Sequence, residues 1–116
     1  MNIIIFGSEG NLGKELLKPL AKKFNVTSVD FVKKKNLNNR KFIYLDLSKK
    51  INLKKFKKTK NDIAIILSFY KSQPSDFNST NKDEFISKNN KILNNALRVC
   101  KINKVKKIIY FSSAAV

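Results

Sequence analysis

Ile5–Lys14 has the sequence Ile-Phe-Gly-Ser-Glu-Gly-Asn-Leu-Gly-Lys, and this stretch decides the fold. Its three glycines, the only ones in the chain, are spaced three residues apart. Gly7 permits a tight turn, Gly10 lets a ligand approach the backbone, and Gly13 allows close helix packing. Because free N–H groups at a helix start bind phosphate, the stretch predicts a strand, a diphosphate-binding loop and a helix.

Short apolar runs alternate with amphipathic stretches along the rest of the chain. This alternation predicts a Rossmann-like α/β fold, in which a doubly wound parallel sheet of about five strands has the order 3-2-1-4-5. We expect Pro19 to kink the first helix or to leave the Glu15 carbonyl unpaired. The predicted strands are Asn2–Phe6, Val26–Val29, Phe42–Leu45, Asp62–Leu67 and Lys107–Ser112. The predicted helices are Leu12–Phe24 and Lys82–Lys101, and Ile51–Lys58 is predicted as a short helix or turn.

An acidic residue follows the glycines at the distance that a dinucleotide site requires. Asp30 ends the second predicted strand, 17 residues after Gly13. A carboxylate there can accept hydrogen bonds from both ribose hydroxyls of an adenosine. Its charge repels the 2′-phosphate of NADP, which favours NAD as cofactor, although Lys33–Lys35 keep NADP as the alternative. No Gly-Lys-Ser/Thr follows the loop, which argues against a nucleotide triphosphatase.

The charge and composition exclude several other classes of protein. With 25 basic and 8 acidic residues the net charge is +17, and histidine is absent. Since 23 of the basic residues are lysine, with 15 Asn and 13 Ile, we attribute the charge mainly to an AT-rich genome. We therefore expect that nucleic acid is not a partner of this protein. The alternative interpretation is that the positive charge binds nucleic acid. The lone Cys100 predicts neither a disulfide nor a metal site, and short apolar runs predict a cytoplasmic protein without a membrane span.

The motifs together resemble the N-terminal part of the NAD-dependent epimerase/dehydratase family, the extended short-chain dehydrogenases/reductases. Gly7, Gly10 and Gly13 match the family's Gly-x-x-Gly-x-x-Gly, and Asp30 matches its ribose acid. The resemblance implies further cofactor contacts in the loop and after the third strand, at Asn11, Leu12, Asp46 and Leu47.

The second half of the chain extends the resemblance. The segment 67–71 follows the fourth strand, and the resemblance places Leu67, Ser68, Phe69 and Lys71 beside the cofactor. Ile66 stands where the family usually has histidine, and Asn89 aligns with a cofactor neighbour in the long helix. In the closing Ser-Ser signature, Ser113 matches the catalytic Ser/Thr that hydrogen-bonds the reacting sugar oxygen.

The family's catalytic Tyr-x-x-x-Lys pair does not occur among Tyr44, Tyr70 and Tyr110. We therefore expect residues 1–116 to be an incomplete NAD(P)-binding domain, truncated before strand 6 and inactive without a C-terminal substrate domain. The resemblance implies a nucleotide-sugar substrate and a homodimer for the complete protein. The alternative is a non-catalytic module that senses a dinucleotide or binds nucleic acid. An apolar fifth strand at the sheet edge predicts self-association of the 116-residue chain.

Overall fold

The computed structural model describes residues 1–31, 41–57, 59–67 and 82–111, and only the backbone of Lys82 and Phe85. Five parallel strands form one sheet in the order β3-β2-β1-β4-β5, which confirms the predicted Rossmann-like topology. The elements in chain order are β1 (Asn2–Phe6), α1 (Asn11–Lys23), β2 (Asn25–Asp30), β3 (Lys41–Tyr44), a 3₁₀ helix (Leu53–Phe56), β4 (Ile63–Ile66), α2 (Lys82–Ile102) and β5 (Lys107–Tyr110).

The central strands are buried on both faces, as their apolar sequences predict. Side chains alternate between the faces of a strand, so β1 supplies both halves of the core. Ile3 and Ile5 pack with Leu17 of α1, whereas Ile4 and Phe6 belong to the opposite cluster. That second cluster includes Phe56 of the 3₁₀ helix and Ala96, Val99 and Cys100 of α2.

Helix α1 begins one residue earlier than predicted and continues through Pro19 to Lys23. Pro19 is exposed. A proline removes its own N–H from the helix ladder, so the carbonyl four residues earlier, that of Glu15, loses its intrahelical donor. Glu15 is exposed as well, and water can reach it. The helix therefore tolerates Pro19 because the residue lies on its solvent side.

Helix α2 ends in a Schellman arrangement around a residue with left-handed backbone. Lys104 has φ 54°. Its N–H donates to the Lys101 carbonyl at 3.2 Å, and the Val105 N–H donates to the Cys100 carbonyl at 3.0 Å. Both bonds satisfy carbonyls that a helix end would otherwise leave without donors. The Lys106 N–H then donates to the Asp62 carbonyl at 2.9 Å, which brings the chain to β5 beside β4.

The strand boundaries shift slightly from the predicted ones. β3 starts at Lys41, one residue early, and β5 runs from Lys107 to Tyr110, while the predicted end at Ser112 lies outside the described residues. The predicted helix Ile51–Lys58 forms a single 3₁₀ turn, Leu53–Phe56, whose N-cap Asn52 accepts the Lys54 N–H. In the part of the chain that the structure describes, no helix is long and apolar enough to cross a membrane.

Candidate functional site

The carboxyl ends of β1 and β2 meet at the glycine loop, residues 7–13. The Gly7 N–H donates to the Val29 carbonyl at 2.8 Å, which extends the β1–β2 ladder into the loop. Gly7 has φ 89°, a conformation that glycine adopts without a Cβ penalty. From β1 the chain builds the sheet on one side through β2 and β3, and then on the other side through β4 and β5. Open α/β sheets bind ligands at the point where the direction of building switches.

Gly13 brings α1 into contact with the loop backbone. A Cβ at this position would lie 2.5 Å from the Gly7 carbonyl oxygen and 2.7 Å from that of Ser8. Such distances are far below a normal contact, so only glycine lets α1 approach the loop this closely. Gly13 is buried, and its predicted packing role is the one that the structure shows.

Gly10 leaves the start of α1 open to a ligand. Gly10 is the N-cap, is exposed, and supplies no side-chain cap to the first-turn N–H groups. The first turn also contains no acidic residue, and Asn11 and Leu12 are exposed. A Cβ at Gly10 would meet only the Gly7 carbonyl oxygen, at 3.7 Å. The geometry suits an anion, because uncapped amides and the positive end of the helix dipole both attract negative charge.

Asp30 ends β2 with its side chain turned toward the glycine loop. Its Oδ2 accepts the Glu9 N–H at 2.8 Å, and its Oδ1 accepts the Phe31 N–H at 2.7 Å. The residue is 8% exposed. Each oxygen of a carboxylate can accept more than one hydrogen bond, so a carboxylate suits a site that holds amides and hydroxyls together. Sequence reasoning predicted Asp30 but not the Glu9 N–H, because backbone bonds leave no residue-type signal.

Side-chain hydrogen bonds hold the loop after β3, which contains Asp46 and Leu47. Oδ1 of Asp46 accepts the N–H and the hydroxyl of Ser48, at 2.9 and 2.6 Å. Leu47 packs in the core beneath α2, and its side chain is buried. Asn95 of α2 donates through Nδ2 to the carbonyls of Leu47 at 2.7 Å and Lys49 at 3.0 Å. Asn95 was not a predicted site residue, since an asparagine on a helix carries no distinctive spacing.

The remaining predicted site residues are only partly described. Leu67 directly follows β4, is buried, and donates its N–H to the Phe6 carbonyl at 2.8 Å beside the glycine loop. Asn89 is half-buried on α2. Four residues lie outside the described part of the chain: Ser68, Phe69, Lys71 and Ser113. The structure thus brings together the glycine loop, Asp30 and Leu67.

Cys100 is buried and unsuited to nucleophilic chemistry. It packs in the core under α2, and burial raises the pKa of its thiol to about 11. The described residues contain no group of three His, Cys, Asp or Glu side chains that could hold a metal ion.

Solved structures with the same fold extend well beyond the length of this chain. Uronate dehydrogenase from Agrobacterium tumefaciens aligns with a TM-score of 0.72 at 18% identity, covering 97% of this chain and 40% of its own. An epimerase from Methanothermobacter thermautotrophicus aligns with a TM-score of 0.79 at 21% identity, covering 97% and 35%. UDP-N-acetylglucosamine 4-epimerase from Methanobrevibacter ruminantium aligns with a TM-score of 0.77 at 24% identity, covering 99% and 38%.

The chain therefore spans less than half the length of these three proteins. A comparison with curated proteins gave no match. The model of the NAD dependent epimerase/dehydratase family matches residues 3–116, almost the whole chain. The glycine loop, the acid at the end of β2 and this match agree, and the chain belongs to the NAD-dependent epimerase/dehydratase family.

Proposed function

We propose that this chain is the NAD-binding part of an enzyme that epimerises, dehydrates or reduces a nucleotide sugar. The observation that carries the proposal is the contact between Asp30 and the glycine loop, which sets a ribose acceptor beside an open helix N-terminus. A dinucleotide carries a diphosphate and a ribose diol next to each other, and the two halves of this site match those groups.

The residues divide the binding between them. The uncapped amides at the start of α1 would hold the diphosphate, with Gly10 leaving room for it. Asp30 would accept the ribose hydroxyls through its carboxylate oxygens. Asp46 and Leu47, after β3, would lie beside the adenine, and Leu67, Ser68, Phe69, Lys71 and Asn89 would line the rest of the cofactor.

NAD, when bound, supplies a hydride acceptor for a sugar carbon. Ser113 would hydrogen-bond the sugar oxygen at that carbon and so fix the substrate's position. The chain has no Tyr-x-x-x-Lys pair to move the proton of that oxygen. We accordingly propose that the 116-residue chain binds NAD without turnover, and that the complete protein acts as a homodimer.

Asp30 also bears on the choice between NAD and NADP. The Asp30 carboxylate accepts two N–H groups at the end of β2, and a negative charge at that place opposes a phosphate on the ribose 2′-oxygen. Calorimetric titration of the chain with each dinucleotide tests this. We expect NAD to bind at least about tenfold more tightly than NADP, which corresponds to about 1.4 kcal/mol.

Two variants separate the parts of the site. Gly10→Ala adds a methyl group where the diphosphate would approach but meets no close protein atom, so it should weaken NAD binding and leave a folded protein. Asp30→Ala should reduce the ratio of NAD to NADP affinity toward one, and that ratio does not depend on the folded fraction. The matched control is Asp83→Ala, which removes an exposed carboxylate in the first turn of α2. Equal affinity of the unaltered chain for both dinucleotides would contradict the ribose role of Asp30.

A further inference from the structure

Exposed lysines lie at the amino-terminal ends of the strands, at the edge of the sheet opposite the glycine loop. In a parallel sheet with antiparallel helices, strand starts and helix ends share one edge. Several exposed lysines lie there, and we call six of them the amino-edge surface: Lys23, Lys41, Lys60, Lys104, Lys106 and Lys107.

Backbone contacts hold these segments side by side. Asn25 follows α1 and donates its N–H to the Met1 carbonyl at 3.2 Å, which places the end of α1 against the start of β1. The Lys106 N–H donates to the Asp62 carbonyl at 2.9 Å, which joins the end of the α2 connection to the start of β4. The fold therefore places these positive charges along one end of the sheet, from β3 to β5.

Few negative charges compensate this surface. Of the described carboxylates only Asp62 lies at this edge, and its Oδ2 already accepts the Asn2 N–H at 2.9 Å. Within the described ranges, no lysine of the amino-edge surface forms an ion pair, whereas Lys18 and Lys88 each pair with a glutamate on their own helix. The surface is consequently a concentrated, unneutralised positive charge.

The carboxylates gather toward the opposite edge of the sheet. Lys14, Lys49 and Lys50 lie there too, but they share that edge with acidic side chains. Six described carboxylates follow a strand or lie in the first half of a helix: Glu9, Glu15, Asp30, Asp46, Asp83 and Glu84. The charge of the chain is thus separated between the two edges of the sheet.

The amino-edge surface contains a polar cleft of about 350 Å³. Lys41 and Lys60 contribute the charges of its lining, and the other lining residues are Asn2, Asn25, Asn61, Thr27, Thr59 and the single apolar residue Val26. The Thr59 hydroxyl already donates within the chain, so the two lysines supply both the counter-charge and N–H donors for phosphate oxygens. Because no described lining residue is aromatic, the cleft offers no stacking platform for a base.

Composition alone predicts no nucleic-acid partner, but the placement of charge in the fold favours the alternative: we propose that the amino-edge surface binds the phosphate backbone of nucleic acid without sequence preference. Lysine contacts phosphate as a point charge, whereas bidentate recognition of guanine favours arginine. A concave polar cleft fits the phosphates of a nucleic acid better than the surface of a membrane, because peripheral membrane binding requires apolar side chains that enter the lipid. The surface lies at the opposite edge from the dinucleotide site and does not depend on the function proposed for it.

The test compares two triple variants that each lower the net charge from +17 to +14. The first, Lys41→Gln/Lys60→Gln/Lys107→Gln, removes charge from the amino-edge surface. The control, Lys18→Gln/Lys50→Gln/Lys91→Gln, removes the same charge from exposed positions elsewhere. Fluorescence anisotropy with a labelled 20-base-pair DNA duplex of mixed sequence measures affinity between 50 and 200 mM salt. Circular dichroism melts and NAD titration verify that both variants remain folded.

We expect the amino-edge variant to bind the duplex about tenfold more weakly at 100 mM salt, and its salt slope to fall by about 2.7 for three lost phosphate contacts. The control should change affinity by less than about threefold. Equal losses in the two variants would overturn the proposal in favour of a net-charge effect. It would also be overturned if phosphatidylserine vesicles, but not the duplex, bound in a manner that depended on the same three lysines.

Discussion

The carboxylate of Asp30 accepts the backbone N–H of Glu9 at 2.8 Å, which joins the end of β2 to the middle of the glycine loop. The same side chain accepts the Phe31 N–H at 2.7 Å. One acid therefore fixes the loop that would hold the diphosphate and presents the acceptor for the ribose. Its structural role and its proposed binding role are distinct and can be measured separately.

Replacement of Asp30 by alanine should lower stability as well as change cofactor preference. The N–H groups of Glu9 and Phe31 would lose their charged acceptor, and Asp30 itself is only 8% exposed. Hydrogen bonds to charged groups contribute about 1.5–3 kcal/mol each, and entering water recovers part of the loss, so we expect about 2–3 kcal/mol. Urea unfolding measures it, and Asp83→Ala should cost under about 1 kcal/mol. Similar losses for both variants would mean that the Glu9 and Phe31 contacts contribute little.

Gly13→Ala should damage the fold much more than Gly10→Ala. The new Cβ would lie 2.5 Å from the Gly7 carbonyl oxygen at position 13 but 3.7 Å from it at position 10. Overpacking against backbone costs about 1–3 kcal/mol or more, whereas alanine at an N-cap costs a few tenths to about 1 kcal/mol. Thermal melts of the two variants measure the difference. Equal melting temperatures would show that α1 can shift away from the loop without cost.

The thiol of Cys100 should be inert in the native state, and it should destabilise the fold at high pH. Burial raises its pKa to about 11 from 9.0, so it stays protonated in the folded chain at pH values where the unfolded chain ionises. This contribution to stability is complete below pH 9 and is lost as pH rises through 11; the raised pKa corresponds to about 3 kcal/mol.

Urea unfolding between pH 8 and pH 11 tests this, with Cys100→Ala as the control. Cys100→Ala keeps every lysine and tyrosine. Its free energy of unfolding should therefore lose only the part of the pH dependence that the thiol contributes. Ellman's reagent should react with the native chain far more slowly than with the unfolded chain. Rapid reaction in the native chain at pH 8 would contradict the burial of the thiol.

Lys104→Gly should stabilise the end of α2. A left-handed backbone costs a residue with a Cβ about 1–2 kcal/mol, and glycine adopts it freely. The extra freedom of glycine in the unfolded chain removes about 0.5–1 kcal/mol of that gain, which leaves about 0.5–1 kcal/mol. Thermal denaturation measures it. Lys101→Gly, in the last turn of the helix, should lower stability instead; a loss at both positions would argue against strain at Lys104.

The edge strand β5 should drive self-association of the 116-residue chain. Ile108, Ile109 and Tyr110 are exposed although they lie in a strand, and so is Phe111 beside them. An exposed apolar edge pairs with other chains, and an inserted charge opposes such pairing. Ile109→Lys should shift light scattering toward the monomer, while Leu97→Lys on α2 serves as a control at an equally exposed apolar position. A monodisperse monomer of the unaltered chain at high concentration would contradict the prediction.

Most of the fold could be predicted because it rests on short-range patterns. The apolar runs of β1 and β4 and the leucine spacing of α1 follow directly from burial on two faces or on one. Boundaries were less certain: Lys41 joins β3 because β2 offers Thr27 as its partner, which is a property of the sheet and not of the lysine. Likewise, Pro19 stays within α1 because it faces solvent, and its exposure depends on how the helix packs.

The candidate site could be predicted where it depends on residue type. Glycine is the residue that tolerates the backbone of residue 7 and the contact at residue 13, and a carboxylate after β2 has few substitutes as a diol acceptor. The Glu9 N–H and the Asn95 amide could not be predicted, because backbone donors and isolated asparagines have no sequence signature. Ser113 and the residues from Ser68 to Lys71 remain predictions from the family resemblance.

The sequence by itself determined the strand–loop–helix opening, the order of elements and the acid that follows the second strand, since each depends on local sterics and hydrophobic periodicity. Only the tertiary structure decided where charge accumulates. Lys23, Lys41, Lys60 and Lys107 are far apart along the chain, and they lie at the same end of the sheet because the parallel strands start there and the helices end there. Electrostatic interactions depend on distance through space, and that distance is fixed by the fold.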